Sequence, residues 1–253
     1  MTDGIDLKID GEVALITIDR PEARNALHQP ALDALQEAIL AIEADDTVET
    51  AVITGIGGTF CAGADLKEVA ETDAAYRPWA GATGPLAKPC AKPVIAAVEG
   101  HAVAGGLGVA LWADLRVVSE SAVFGVFCRR FGVPMSDGTP TRLPTVIGRA
   151  RALDMLLTGR PVKAEEAHRM GLADRLVPTG NALAAATELA RHIAKFPPLA
   201  MRADRAAAWA AFDADEAACL IAEDEGAQAA KKHEASQGAA RFTEGQGRGG
   251  DFG

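Results

Sequence analysis

Two glycine-rich segments carry the residues best suited to stabilising negative charge as it develops on a ligand. The first is Gly55-Ile56-Gly57-Gly58-Thr59-Phe60-Cys61-Ala62-Gly63-Ala64-Asp65-Leu66, and the second is Gly100-His101-Ala102-Val103-Ala104-Gly105-Gly106-Leu107-Gly108. Each follows a strand-like apolar run and leads into helical spacing. Backbone N–H groups at a helix start lack intrahelical partners and carry the positive end of the dipole. Neither segment is a P-loop, because no Gly-Lys-Ser/Thr follows. Neither has G-x-G-x-x-G with an acidic partner about twenty residues on. Tight turns and close helix packing explain glycines at one such junction well enough; two in one chain, taken with the motifs described below, favour a ligand site.

The elements around these segments alternate. Val13, Leu15 and Ile16-Thr17-Ile18 read as a strand, with Gly11 turning from an earlier strand near Ile5 to Ile9. Over residues 31–44 the spacing changes to Leu32, Leu35, Ile39 and Ile42, a helical stripe. Residues 50–55, 93–100 and 114–118 read as buried strands, with helices at 65–70 and 105–112. Strands separated by helices imply crossovers and a largely parallel sheet. Beyond about residue 140 the pattern is helical (149–157, 163–170, 183–194, 198–230), with one weak strand signal at 172–177. The expected organisation is an α/β core over 1–195 and a helical C-terminal region over 196–253, ending in a mobile Gly-rich tail.

The 253 residues suffice for a well-buried core, and 49% hydrophobic with 24% charged is an ordinary globular balance. A net charge of −10 argues against a nucleic-acid surface, though a few local cations would hold a phosphorylated small ligand. Met1-Thr2-Asp3-Gly4-Ile5-Asp6 resembles no secretion signal, and the stretch from Ala102 to Ala113 is too short for a membrane span. Cys61, Cys90, Cys128 and Cys219 lack C-x-x-C spacing and the histidines lack ligand spacing. Reduced thiols, no metal and a cytoplasmic location are expected.

Several motifs then resemble one family in order. Arg20-Pro21-Glu22-Ala23-Arg24-Asn25-Ala26-Leu27, Phe60-Cys61-Ala62-Gly63-Ala64-Asp65-Leu66 and Lys92-Pro93-Val94-Ile95-Ala96-Ala97-Val98-Glu99-Gly100 are similar to motifs of the enoyl-CoA hydratase/isomerase (crotonase) family. So are Ala104-Gly105-Gly106, Asp114-Leu115-Arg116, Leu156-Leu157-Thr158-Gly159-Arg160 and the run from Ala164 to Leu172. The resemblance implies a spiral of repeated ββα units with a helical C-terminal region, assembled as a homotrimer or hexamer. It implies an acyl-CoA or enoyl-CoA thioester as partner, with coenzyme A arriving as part of the substrate and no permanently bound cofactor. The backbone N–H groups of Ala64 and Gly105 would form an oxyanion hole for the thioester carbonyl. Arg24 and Lys67 would lie near the CoA phosphates, with Ala26, Ala62, Asp65 and Leu66 completing the CoA-binding set. Arg24 is the stronger of the two cations, since Lys67 also reads as a solvated helix lysine. Phe242-Thr243-Glu244-Gly245 resembles the family's closing segment, which often completes a neighbouring subunit's site.

The family's two hydratase glutamates would fall at Gly108 and Cys128, and neither is a carboxylate. A thiol in an apolar setting is usually inert, so Cys128 reads first as a core residue and second as a catalyst. Asp137 is the replacement, in Gly132-Val133-Pro134-Met135-Ser136-Asp137-Gly138. It stands one residue beyond the aspartate of dienoyl-CoA isomerases and 4-chlorobenzoyl-CoA dehalogenase. Met135 and Phe127 would partly desolvate it and raise its pKa. An Asp-Gly turn or helix cap before Thr139-Pro140-Thr141 fits the same residues. Glu99 and His101 are weaker candidates, and Asp154 reads as a solvated helical residue. The expected activity is acyl-CoA thioester processing through a stabilised enolate, as a hydratase-like lyase or an isomerase using a single carboxylate. The alternative is a silent acyl-CoA-binding protein.

Overall fold

A computed structural model describes residues 3–71, 78–196, 198–210 and 236–245. The main sheet has the order β1 (Ile5–Asp10), β2 (Val13–Ile18), β3 (Thr50–Gly55), β4 (Val94–Val98), β6 (Leu115–Ser119), β9 (Arg175–Val177). β1 pairs antiparallel with β2 across the turn at Gly11, and every later pair is parallel. A second sheet joins β5 (His101–Val103), β7 (Val123–Gly125) and β8 (Val162–Lys163).

The two sheets arise because the chain visits both on each turn. Residues 93–100 do not form one strand. Gly100 breaks the run at φ 56°, where a Cβ would overlap the carbonyl oxygen of Gly58, and β5 continues in the other sheet. β4, β5 and α3 (Gly105–Trp112) make one ββα turn. β3, a parallel bridge from Cys61 to Ala102 and α2 (Leu66–Glu71) make the turn before it. This is the winding that the motif resemblance implied.

Alternation within the strands explains why both faces of the main sheet are buried. Val13, Val52, Ile95, Ala97 and Val117 pack under Ala182, Ala186, Leu189 and Ala190 of α7 (Ala182–Ala194). Their neighbours Ala14, Ile16, Ile53, Ala96 and Val98 face the larger core, which receives the Leu32, Leu35, Ile39 and Ile42 stripe of α1 (Gln29–Ala44).

Beyond residue 138 come α4 (Thr139–Ile147), α5 (Arg149–Thr158), α6 (Ala164–Met170), α7, α8 (Pro198–Ala210) and α9 (Ser236–Thr243). Two strands, β8 and β9, interrupt the helical reading, and β8 was not expected. α4 lies where a turn or helix cap was the expectation. Most of residues 198–230, Cys219 and all but Gly245 of the expected tail lie outside the described residues. Asp114 ties α8 to the sheet: its carboxylate accepts from Arg205 Nε at 2.8 Å, Trp209 Nε1 at 2.8 Å and the Val94 N–H at 2.7 Å. Arg116 is buried, pairing with Asp174 at 2.7 Å and donating to the carbonyls of Leu172 and Ala113. No described helix is long and apolar enough to cross a membrane.

Candidate active site

The first glycine segment is fastened by a residue whose structural role the sequence left unassigned. Asn25 is fully buried, and its amide donates to the carbonyls of Ile56 at 2.8 Å and Thr59 at 2.6 Å. Its Oδ1 accepts the Arg20 N–H at 2.9 Å. Residues 24–27 then pair with 62–65, through Ala62 N–H to Arg24, Leu27 N–H to Gly63 and Asp65 N–H to Leu27. Gly63, at φ 99°, touches the second segment: a Cβ there would lie 2.8 Å from Ala104 Cβ and 2.9 Å from Gly105 N.

The second segment enters α3 through Ala104, a non-glycine residue at φ 49° and ψ −127°. Such a conformation costs about 1–3 kcal/mol and persists only where its surroundings enforce it. Here the Ala104 N–H is held by the Gly125 carbonyl at 2.8 Å. Among the described residues, no backbone acceptor takes the N–H of Ala64 or of Gly105.

Three glycines of α3 each make room for a different neighbour. A Cβ on Gly106 would overlap the Cys61 carbonyl, which keeps the two segments in contact. A Cβ on Gly105 would overlap the indole of Trp79, and one on Gly108 would lie 2.6 Å from Cγ of Asp137. The carboxyl of Asp137 therefore fills the space beside Gly108 that a side chain at that position would need.

Asp137 is 3% exposed, and burial pushes its carboxyl up to about 6. Its Oδ1 accepts the Thr139 N–H at 2.9 Å, so the same group also caps α4. That bond and the nearby charge of Arg142 oppose the upward shift. Arg142 is itself buried and donates from Nη2 to the Leu86 carbonyl at 2.9 Å. Met135 is buried on this loop as expected, whereas Phe127 packs on Gly125 and under the Arg130 guanidinium. Cys128 is buried with Sγ 2.9 Å from Met135 Sδ. Burial, reinforced by the charge of Asp137, pushes its thiol up to about 12, which disfavours the thiolate near neutrality.

Residues 24–27 and 62–67 lie side by side. Arg24 and Lys67 are exposed, Ala26 is buried, and Ala62 and Leu66 are half-buried. His101 is exposed nearby; burial and then the Arg24 charge lower its pKa. The Asp65 carboxylate is engaged within the fold, pairing with Arg20 at 3.1 Å and accepting the Lys67 N–H at 3.1 Å. Arg20 is thus a site-building residue that sequence reasoning left without a role; its place beside Pro21 at the motif's start was the available signal. Glu99 caps α7, accepting the N–H groups of Gly180 and Ala182 at 3.0 Å. Asp154 pairs with Arg160 at 2.6 Å. Among the described residues, no group of His, Cys, Asp and Glu is placed to hold a metal ion.

The sequence model of the family described as Enoyl-CoA hydratase/isomerase matches residues 8–248. The chain is 38% identical over 200 residues to enoyl-CoA hydratase EchA19 of Mycobacterium tuberculosis, covering 76% of this chain and 75% of that one. The structure of EchA1_1 from Mycobacterium paratuberculosis superposes with a TM-score of 0.88 at 33% identity, over 96% of this chain and 97% of that one. Carnitinyl-CoA hydratase from Mycobacterium avium gives a TM-score of 0.88 at 35% identity, with the same coverage. With the ββα spiral, the paired glycine segments and these likenesses together, the chain belongs to the enoyl-CoA hydratase/isomerase (crotonase) family.

Proposed function

We propose that the protein acts on enoyl-CoA thioesters, holding the thioester carbonyl between the backbone N–H groups of Ala64 and Gly105 and moving the proton with Asp137. The observation that carries this reading is the Asp137 carboxyl lying against Gly108, desolvated and raised to about 6. Chemistry α or β to a thioester builds charge on the carbonyl oxygen. Two fixed N–H donors stabilise that charge without reorganising, and losing one such donor typically costs roughly 10²–10³ in rate. Asp137 as the anion takes a proton from water, whose oxygen adds at the β-carbon, and delivers that proton to the α-carbon of the enolate. The relatives named as hydratases support hydration. The lack of a carboxylate at positions 108 and 128 favours the second reading, in which Asp137 carries a proton between two carbons of an isomerising substrate.

Arg24 and Lys67 are proposed to meet the CoA phosphates, with Ala26, Ala62 and Leu66 lining the path. Asp65 contributes indirectly, by holding Arg20. Cys128 is a packing residue. A cytoplasmic homotrimer or hexamer is the assembly we would look for.

The test is incubation with a panel of enoyl-CoA thioesters in heavy water, followed by mass spectrometry. Hydration adds the elements of water, and isomerisation exchanges deuterium without that gain. Asp137→Asn should lose about 10²–10⁴ in rate, while Cys128→Ser keeps it. Tight binding with neither product would mean a silent acyl-CoA-binding protein. Full activity in Asp137→Asn would remove that residue from the mechanism.

A further inference from the structure

We propose that Trp79 is a fixed wall that ends the acyl site, restricting the protein to short-chain thioesters. This rests on the reading that Gly105 N–H holds the thioester carbonyl. The indole is fully buried, and its six-membered edge lies against Gly105: a Cβ there would overlap Cζ3 and Cη2, with Cε3 only 3.1 Å away. A carbonyl oxygen bound at Gly105 N–H puts the α-carbon one bond beyond the carbonyl carbon. A long hydrocarbon chain leaving that point must find a channel past Trp79. The ring is fully buried and fills the space against Gly105, so no channel opens past it on that side.

The indole cannot swing aside easily, because its backbone is clamped on both sides. The Trp79 carbonyl accepts the Leu86 N–H at 2.8 Å, and Gly84 is pressed so closely that a Cβ would overlap the Trp79 carbonyl. The Ala80 N–H donates to Ser136 at 3.1 Å, and Arg142 reaches Leu86 at 2.9 Å. The last two bonds join the Trp79 segment to the loop bearing Asp137 and to α4, which follows it. Moving the wall would therefore disturb the proton carrier, which is why a rigid limit on chain length fits better than an opening lid.

The experiment is calorimetric titration with saturated butyryl-, octanoyl- and dodecanoyl-CoA, which bind without turnover, on the wild type, Trp79→Ala and Trp79→Leu. The wild type should bind butyryl-CoA most tightly. In the variants the octanoyl-to-butyryl affinity ratio should rise by tenfold to on the order of a hundredfold, the upper figure being the worth of burying the extra methylenes. A wild type whose affinity climbs with chain length overturns the wall and leaves the thioester reading intact. Variants that keep the wild-type ranking do the same, and make Trp79 a core residue only. Should Trp79→Ala fail to fold, the leucine variant and the wild-type series still decide. No binding of any thioester by the wild type overturns the thioester reading itself, and the wall with it.

Discussion

Asp137 is held where its charged form is unwelcome, and this fixes a pH dependence. Its folded pKa, about 6, lies above the ordinary 3.8. Below about pH 3 the carboxyl is largely neutral in both folded and unfolded chains and contributes nothing. Between about pH 4 and 6 the unfolded chain ionises first, so stability falls as pH rises; the full penalty, about 3 kcal/mol, is present above pH 7. Asp137→Asn keeps an oxygen for the Thr139 N–H and removes the charge. Denaturant titrations should therefore show the variant more stable than wild type at pH 8, with the difference vanishing below about pH 3. If the anion is the base, kcat/KM of the wild type rises through about pH 6 and then levels off. A flat profile across that range would exclude Asp137 as the base. Family resemblance made Asp137 a candidate, one residue from an aspartate that some members use, and Met135 and Phe127 nearby suggested desolvation. What the sequence could not disclose was its position against Gly108, which depends on how the loop folds over α3.

At the level of elements, α3 is a short helix with neighbours on three sides, and its glycines are not equivalent. Gly106→Ala drives a methyl into the Cys61 carbonyl, a backbone atom held in the parallel bridge to Ala102. It should destabilise the fold by about 1–3 kcal/mol or more in thermal unfolding. Gly108→Ala drives its methyl against the Asp137 carboxyl instead, so the larger effect should appear in kcat, with the affinity for saturated acyl-CoA retained. Equal losses of stability in both variants would contradict this division. The main strands and α1 were readable because their apolar spacing shows a period, whereas α3, buried on every side, was readable only from its place between two strands. The second sheet was not readable. His101–Val103, Val123–Gly125 and Val162–Lys163 are two or three residues each, too short for alternation to register. A cap before Thr139 was one reading of the sequence, but the extent of α4 was not legible because Pro144 lies inside it, and proline is tolerated at a helix start but not expected further in.

At the scale of the whole molecule, Asp114 is a polar clasp that joins α8 to the main sheet. Its partners Arg205 and Trp209 lie far along the chain, so sequence likeness marked Asp114 without giving the physical reason. Asp114→Ala leaves those donors and the Val94 N–H without their acceptor and should cost at least about 2 kcal/mol. Limited proteolysis should then cut within residues 198–210 earlier than in the wild type, while the strands stay protected; unchanged cleavage would show that α8 is held without the Asp114 clasp, by Arg202 on Glu49 and by packing. α9 docks through Phe242, whose ring meets Phe131 edge-on at 5.1 Å, and Phe131 ends the 3-10 turn that contains Cys128. The proposed carbonyl donors belong to one part of this assembly and the proton carrier to another. Ala64 and Gly105 sit on segments interlocked with both sheets, whereas Asp137 rides on a loop that Ala80 N–H clasps to the turn bearing Trp79. Parts of a protein with different anchorage open at different free energies. On warming, the molecule should therefore pass through a range in which it still captures thioesters yet has lost the reagent that transforms them, an inhibitable sponge for its own substrate before it is a denatured chain.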